Sequence, residues 1–377
     1  MGSDNAGLDQ LKAAPWDRFA GWDRWAARIL LLLVTALLVL AAIAPLSASL
    51  DGKPSEVPSL IGDGAPDEQT ESERDEDLAF YDRVIERIGH GENYYDFIVE
   101  EQRARDYPVR PGLAVRLPTL AWIHASLGEP AMIALAIALL FACIWAWWKR
   151  LGEEPGGLRF RLLGTALMAM GGSLGLNRSF FVLHELWAGM LIALAFGLHR
   201  PGRWGAALFV AALALALREL VLPFVLLMAA MAAWRKDWRE ATAWIMLVAV
   251  FAAIMVWHLS LIAVQEVPSD PVGPDWLVLR GLSGWLGNIV LSSNLRLLPH
   301  ELASPVVILM ALGWAGWKSS AGTTGTFLYL GYGLAFMLAG RANNFYWGAV
   351  VAPAMFIGLA FLPMALPSLV RAALGKA

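Results

Sequence analysis

Long apolar runs separated by short polar ones make up most of the chain. The first, Ile29 to Leu46, has Thr35 as its sole polar side chain. A helix crossing a bilayer needs about 20 mostly apolar residues. Ten runs approach that length: 29–49, 130–148, 162–176, 180–198, 204–217, 220–234, 240–263, 303–317, 325–340 and 346–369. The pattern predicts an all-α polytopic membrane protein with about ten transmembrane helices and amphipathic juxtamembrane helices in its first outer loop. The run at 29–49 is longer than the roughly 7–15 apolar residues of a cleaved leader, so it reads as a retained span. Trp16, Phe19, Trp22 and Trp25 recur every three residues before it. That spacing predicts a short interfacial helix within a cytoplasmic N-terminal segment, 1–28.

The polar stretch 50–129 changes texture partway. Residues 50–76 are rich in Gly, Pro, Ser and acids and read as a flexible linker. From Asp77, Tyr81, Val84, Ile85 and Ile88 recur at helical spacing, with Asp82, Arg83, Glu86 and Arg87 between them. This predicts an amphipathic helix resting on the outer membrane surface and ended by Gly89 and Gly91. A second helix is expected over Tyr94 to Arg105, and YPVRPGLAVRLPTLAWIH then returns to the membrane, so 77–129 forms one outer-face juxtamembrane unit. The remainder, 130–377, is a bundle with a second outer loop at 264–302, in which 283–295 predicts a re-entrant or surface helix.

Composition and charge support this layout. The chain is 58% apolar and 16% charged, against about 45–50% and 25% in soluble domains. Of 29 Lys and Arg, sixteen fall in segments predicted to be cytoplasmic, five in short outer segments and eight in the long first loop. The bias places both termini inside, as a multi-pass protein of a plasma membrane of the bacterial inner-membrane type. A net charge of −3 gives no basic surface for nucleic acid. The single cysteine, Cys143, excludes an internal disulfide and CxxC chemistry and reads as a small apolar side chain.

Asp77 stands where linker meets helix, a position that suits a helix cap or a solvated acidic run with Asp75 and Glu76. Asp77, Tyr81, Gly91 and Tyr95, in DLAFY and GENYY, also stand at 0, +4, +14 and +18. This pattern, in the first outer loop after the first span, resembles the GT-C superfamily of integral-membrane glycosyltransferases. The motif occupies 77–95 only; the layout of spans and loops extends the likeness over most of the chain but is generic. The resemblance implies transfer of a hexosyl or pentosyl group from a polyprenyl-phosphate sugar, on the outer face, to a glycan, lipid or protein acceptor. Asp77 would be the general base, configuration would invert, and Tyr81 and Tyr95 would contact substrate. The chain lacks the second long outer domain of many such proteins and has fewer spans, which leaves the acceptor open.

A lipid-phosphate leaving group calls for cationic donors, and arginine offers a planar fork that matches phosphate. Arg110 and Arg116 flank the return to the membrane; as lipid-headgroup anchors they would need no further role. His184 and Glu185, Arg218 and Glu219, and His258 interrupt apolar runs near their outer ends. Ionisable groups there face a cavity or a partner. An internal Arg218–Glu185 or Arg218–Glu219 pair and a polar substrate pocket are compatible readings. In RANNFYWGAV, residues 341–350, Arg341 and Asn344 are candidate substrate contacts beside an aromatic belt. No metal or cofactor is expected, although Asp75, Glu76 and Asp77 could hold a hard cation. A multi-pass transporter or lipid flippase of envelope glycoconjugates is the alternative function, supported by the charges within spans. A non-catalytic assembly or sensing protein is a third.

Overall fold

The computed structural model describes residues 16–46, 76–154, 157–273 and 275–375. The expected linker at 50–76 therefore lies outside the described residues apart from Glu76. Every regular element among the described residues is helical: α1 (Arg24–Ile43), α2 (Glu76–Gly89), α3 (Tyr94–Arg103), α4 (Thr119–Gly152), α5 (Gly157–Gly172), α6 (His184–Leu198), α7 (Gly205–Leu217), α8 (Leu222–Trp234), α9 (Trp238–Ala263), α10 (Gly281–Leu291), α11 (His300–Gly316), α12 (Ser320–Leu338), α13 (Ala352–Met355) and α14 (Gly358–Leu374).

Four stretches are long and apolar enough to cross a membrane: Arg24–Ile43, Gly112–Gly152, Trp238–Ala263 and Ala352–Leu374. Five shorter apolar helices stand beside them. α1 has a mean hydropathy of 2.7 yet buries only 17% of its apolar window within the protein. Trp25, Ile29, Leu32 and Ile43 are each at least 65% exposed. A surface this apolar needs hydrocarbon rather than water around it, and the chain is a helical membrane protein.

The helices pack through small residues, as expected where lipid removes the hydrophobic drive for association. A Cβ on Gly313 of α11 would run into the carbonyl of Gly358, and one on Gly189 of α6 would meet that of Ala349. Buried tryptophans bridge neighbouring helices and satisfy their indole N–H on carbonyls. Trp147 Nε1 donates to Ala193 O at 3.0 Å and Trp314 Nε1 to Met355 O at 3.0 Å. α4 is two helices joined at a kink. Gly128 ends the first part at φ 73° and Pro130 opens the second, so residues 119–127 turn away from the 130–152 span. Cys143 is buried, with its thiol donating to Met190 O at 3.3 Å.

Three expectations are corrected. Residues 16–22 are irregular, and α1 begins at Arg24 behind an Asp23 cap whose carboxylate accepts from Trp25 N at 2.9 Å and Ala26 N at 3.1 Å. Trp16 and Phe19 are buried while Trp25 is 68% exposed, so the aromatic triplet spacing is not one helical face. The segment is instead tied to the α11–α12 corner by Arg18 N to Gly316 O at 2.9 Å and Lys318 N to Trp16 O at 2.7 Å. α2 turns its apolar face to protein rather than to the membrane surface: Phe80 and Val84 join Tyr94, Tyr95, Ile98 and Val115 in one core. Of the two readings of 283–295, re-entrant or surface helix, the surface one is excluded: α10 occupies 281–291 inside the protein. Residues 284–290 are all buried, and it packs against α11, α12 and the 3-10 run Ala342–Val350.

Gly313→Val should therefore lower the melting temperature of the detergent-solubilised protein, by overpacking worth about 1–3 kcal/mol. Gly331→Ala, where an added Cβ meets nothing within 4 Å, should leave it unchanged or raised. Equal melting temperatures for Gly313→Val and wild type would contradict the close α11–α14 approach.

Candidate functional site

The cavity at one end of the bundle is built where helices stop. α7 ends at Leu217, Arg218 is extended at φ −152°, and the chain turns through Glu219–Val221 before α8. Non-helical backbone at such depth is tolerated where protein or a water-filled cavity surrounds it. The chain breaks again after α12. Gly340, at φ 91°, donates its N–H to Trp276 O at 2.7 Å and lies against the Trp347 ring, so 341–347 forms a polar wall. α2 and the segment 107–116 close the remaining sides. The enclosed volume is about 540 Å3.

Six of the ten residues singled out from sequence line this one space: Asp77, Tyr81, Arg116, Arg218, Arg341 and Asn344. Asp77 sits in the first turn of α2, exposed to the cavity, and Tyr81 is one turn on. Arg116 Nε donates to Tyr81 Oη at 2.9 Å, and its Nη1 meets Glu185 Oε1 at 3.0 Å. Arg218 Nε donates to the same Glu185 oxygen at 2.7 Å, and its Nη1 pairs with Glu219. Both pairs suggested for Arg218 are thus present. Glu185 forms the buried floor behind the cavity wall, 1% exposed. Burial pushes the Tyr81 phenol up to about 12, against the opposing pull of Arg116, so it stays a neutral O–H at ordinary pH.

Charge is distributed unevenly across the cavity. Glu185 and Glu219 between them neutralise Arg116 and Arg218. Arg341 has no carboxylate within ion-pair distance among the described residues, and its Nε is buried without a protein acceptor. Trp347 Nε1 on the same wall is likewise unpartnered, and so is Oε1 of Gln102, a cavity-lining residue of α3 that is 5% exposed. Each buried polar group left unpaired costs about 1–3 kcal/mol, and such groups in a folded protein call for an explanation.

Four sequence candidates lie elsewhere. His184 is buried behind the wall, its ring 5.4 Å from that of Tyr81, beside Glu185. Arg110 caps the carbonyls of Pro268 at 2.9 Å and Asp270 at 3.4 Å, away from the cavity. Tyr95 points the other way. Its hydroxyl meets His258 Nδ1 at 3.0 Å, and His258 Nε2 meets Val115 O at 3.1 Å. A carbonyl only accepts, so Nε2 carries the proton and Nδ1 accepts from Tyr95. Tyr94 donates to Arg116 O at 2.6 Å. The paired tyrosines therefore grip residues 115–116 from both sides and fix the Arg116 backbone. Asn344 lines the cavity but spends its amide internally, on Arg341 N at 3.0 Å and Tyr346 Oη at 3.2 Å.

Sequence reasoning missed Gln102, Tyr94 and Trp276. Gln102 had a visible signal: it follows Tyr94 and Ile98 at steps of four, a polar residue on an otherwise apolar stripe of α3. Among the described residues no group of three or more His, Cys, Asp or Glu converges as a metal-ligand set, and Asp75 lies outside them. Compared with known proteins, the chain matches no family model, no curated protein and no solved structure.

A double-mutant cycle on Arg218→Gln and Glu185→Gln checks the shared carboxylate. Glu185→Gln should cost about 3–5 kcal/mol of unfolding free energy, because it leaves the buried Arg116 without a carboxylate, and Arg218→Gln should cost less, because Glu185 keeps Arg116 while Glu219 loses its partner. The double change should cost clearly less than the sum; coupling below about 0.5 kcal/mol would contradict a working ion pair.

Proposed function

We propose that the protein is an inverting membrane glycosyltransferase that moves a sugar from a polyprenyl-phosphate donor to an acceptor hydroxyl on the outer face of the membrane. The observation that carries this reading is the meeting of Asp77, Tyr81, Arg116, Arg218 and Arg341 around one cavity, from positions as far apart as 77 and 341. A carboxylate capable of taking a proton and an uncompensated guanidinium stand on walls of the same space. That is what displacement of a lipid phosphate requires.

In this reading Asp77 accepts the proton of the acceptor hydroxyl as its oxygen attacks the anomeric carbon. The bond from that carbon to the phosphate oxygen breaks, and its electron pair leaves with the lipid phosphate. Attack from the side opposite the phosphate inverts the configuration. Arg341 supplies the positive field for the leaving oxygen, while Arg116 and Arg218, already neutralised, keep the floor rigid. The motif gains a division of labour. Asp77 and Tyr81 face the cavity, Gly91 turns α2 into α3, and Tyr95 holds the Arg116 segment through His258. The same reading takes about ten crossings with both termini inside, which puts the cavity at the outer leaflet. The acceptor class stays open among glycan, lipid and protein.

Glycan mass spectrometry on a deletion strain tests this. Wild type should restore a missing sugar mass, and Asp77→Asn, present at equal level, should not, because losing the base slows transfer by about 10²–10⁴. Unchanged glycans on deletion, or full restoration by Asp77→Asn, would overturn the enzyme reading.

A further inference from the structure

We propose that Gln102 is a specificity residue for the transferred sugar and that, with Arg341 and Trp347, it fixes which way round the donor lies in the cavity. This rests on the glycosyltransferase reading and extends it. The three unpartnered polar groups of the cavity wall divide by chemistry. Arg341 Nε and Trp347 Nε1 are buried, lack a protein acceptor and stand on the 341–347 wall. Both are donors only, and an arginine carries its charge at any ordinary pH. A ligand must present acceptors there, and an anionic oxygen is the strongest match.

Gln102 differs in kind. The residue is buried, with 5% of its surface exposed, and Oε1 has no partner. It sits on α3, which packs against α2, the helix that carries Asp77, and is an element separate from the 341–347 wall. A carboxamide oxygen accepts and so repels an anion. A hydroxyl, which both donates and accepts, satisfies the amide whichever way it is turned. The ligand that meets all three groups has an anion at one end and a hydroxyl at the other. A sugar phosphate oriented with its phosphate at Arg341 and Trp347 places sugar hydroxyls at Gln102. Phe80, Tyr107 and Trp276 add aromatic surface to the same cavity.

A site built to hydrogen-bond a substrate hydroxyl discriminates against ligands lacking it, because its polar group is then left unpaired. Gln102 should therefore distinguish ligands that carry a sugar from those that carry phosphate alone. The test is binding, measured by microscale thermophoresis on the full chain in detergent. The probes are farnesol, farnesyl phosphate and a panel of farnesyl phosphoryl-hexoses and -pentoses. Wild type should bind farnesyl phosphate over farnesol and at least one sugar-bearing probe more tightly than farnesyl phosphate. Gln102→Leu should weaken that probe by about tenfold, the loss of one good hydrogen bond, and bind farnesyl phosphate as wild type does. Arg341→Gln and Trp347→Phe should weaken both probes together. Retained farnesyl phosphate binding also reports that Gln102→Leu is folded. Equal loss for both probes in Gln102→Leu, no loss for either, or no sugar-bearing probe bound above farnesyl phosphate overturns the role of Gln102 while leaving the enzyme reading intact. Failure of wild type to bind any phosphate-bearing probe above farnesol overturns both.

Discussion

One buried carboxylate oxygen holds the cavity end of this protein together. Glu185 Oε1 accepts from Arg116 at 3.0 Å and from Arg218 at 2.7 Å. The three residues come from the return segment after α3, the start of α6 and the break between α7 and α8. Glu185 is placed by the packing of α6, but the backbone that carries Arg116 and Arg218 is too irregular to be placed by helix packing alone. The shared charge places them, and two cations on one anion hold each other's geometry in a way that an apolar contact would not. Buried charges are costly unless fully paired, so the network supplies specificity of arrangement more than net stability. Glu219 completes the balance for Arg218.

The consequence for chemistry lies in what remains unbalanced. With Arg116 and Arg218 neutralised, Arg341 is the cavity's uncompensated cation among the described residues. The paired tyrosines extend the same logic outward. Tyr94 holds the carbonyl of Arg116 and Tyr95, through His258, that of Val115. A guanidinium at the end of a flexible stem is only as well placed as its backbone, and here the backbone is held twice. A helix that keeps an acid at its head and leads into two tyrosines is therefore a cavity wall and its anchor.

Much of the helical layout was legible in the sequence because apolar run length is a one-dimensional quantity. The runs at 204–217 and 240–263 correspond closely to α7 and α9. The failures share a cause: periodicity says that a face is apolar, not what will cover it. α2 was expected to meet lipid and meets α3 and α4. Trp16 and Phe19 were expected on an interfacial helix and are buried in an irregular corner, because the α11–α12 turn offers their backbone hydrogen bonds. The stretch 283–295 was expected as a re-entrant or surface helix, and the burial of α10 depends on partners distant in sequence. Of the residues that line the cavity, Asp77 and Tyr81 were singled out by the resemblance of DLAFY and GENYY to a known motif, and Arg218 by its presence in an apolar run. Arg110 looked equivalent to Arg116 because both flank the return segment. The difference is that carbonyls at 268 and 270 capture one and Glu185 captures the other, which no local pattern encodes. Gln102 was legible in principle, as a polar break in a stripe of four-residue steps.

In the proposed function the cavity takes a prenyl-phosphate-linked sugar. The most direct measurement is native mass spectrometry of lipids that copurify with the Asp77→Asn protein from its own membranes. A bound lipid whose fragments give a prenyl phosphate and a sugar, and which is lost when Arg341→Gln is added, is the expected result. Bulk phospholipid alone, unchanged by either substitution, would contradict it.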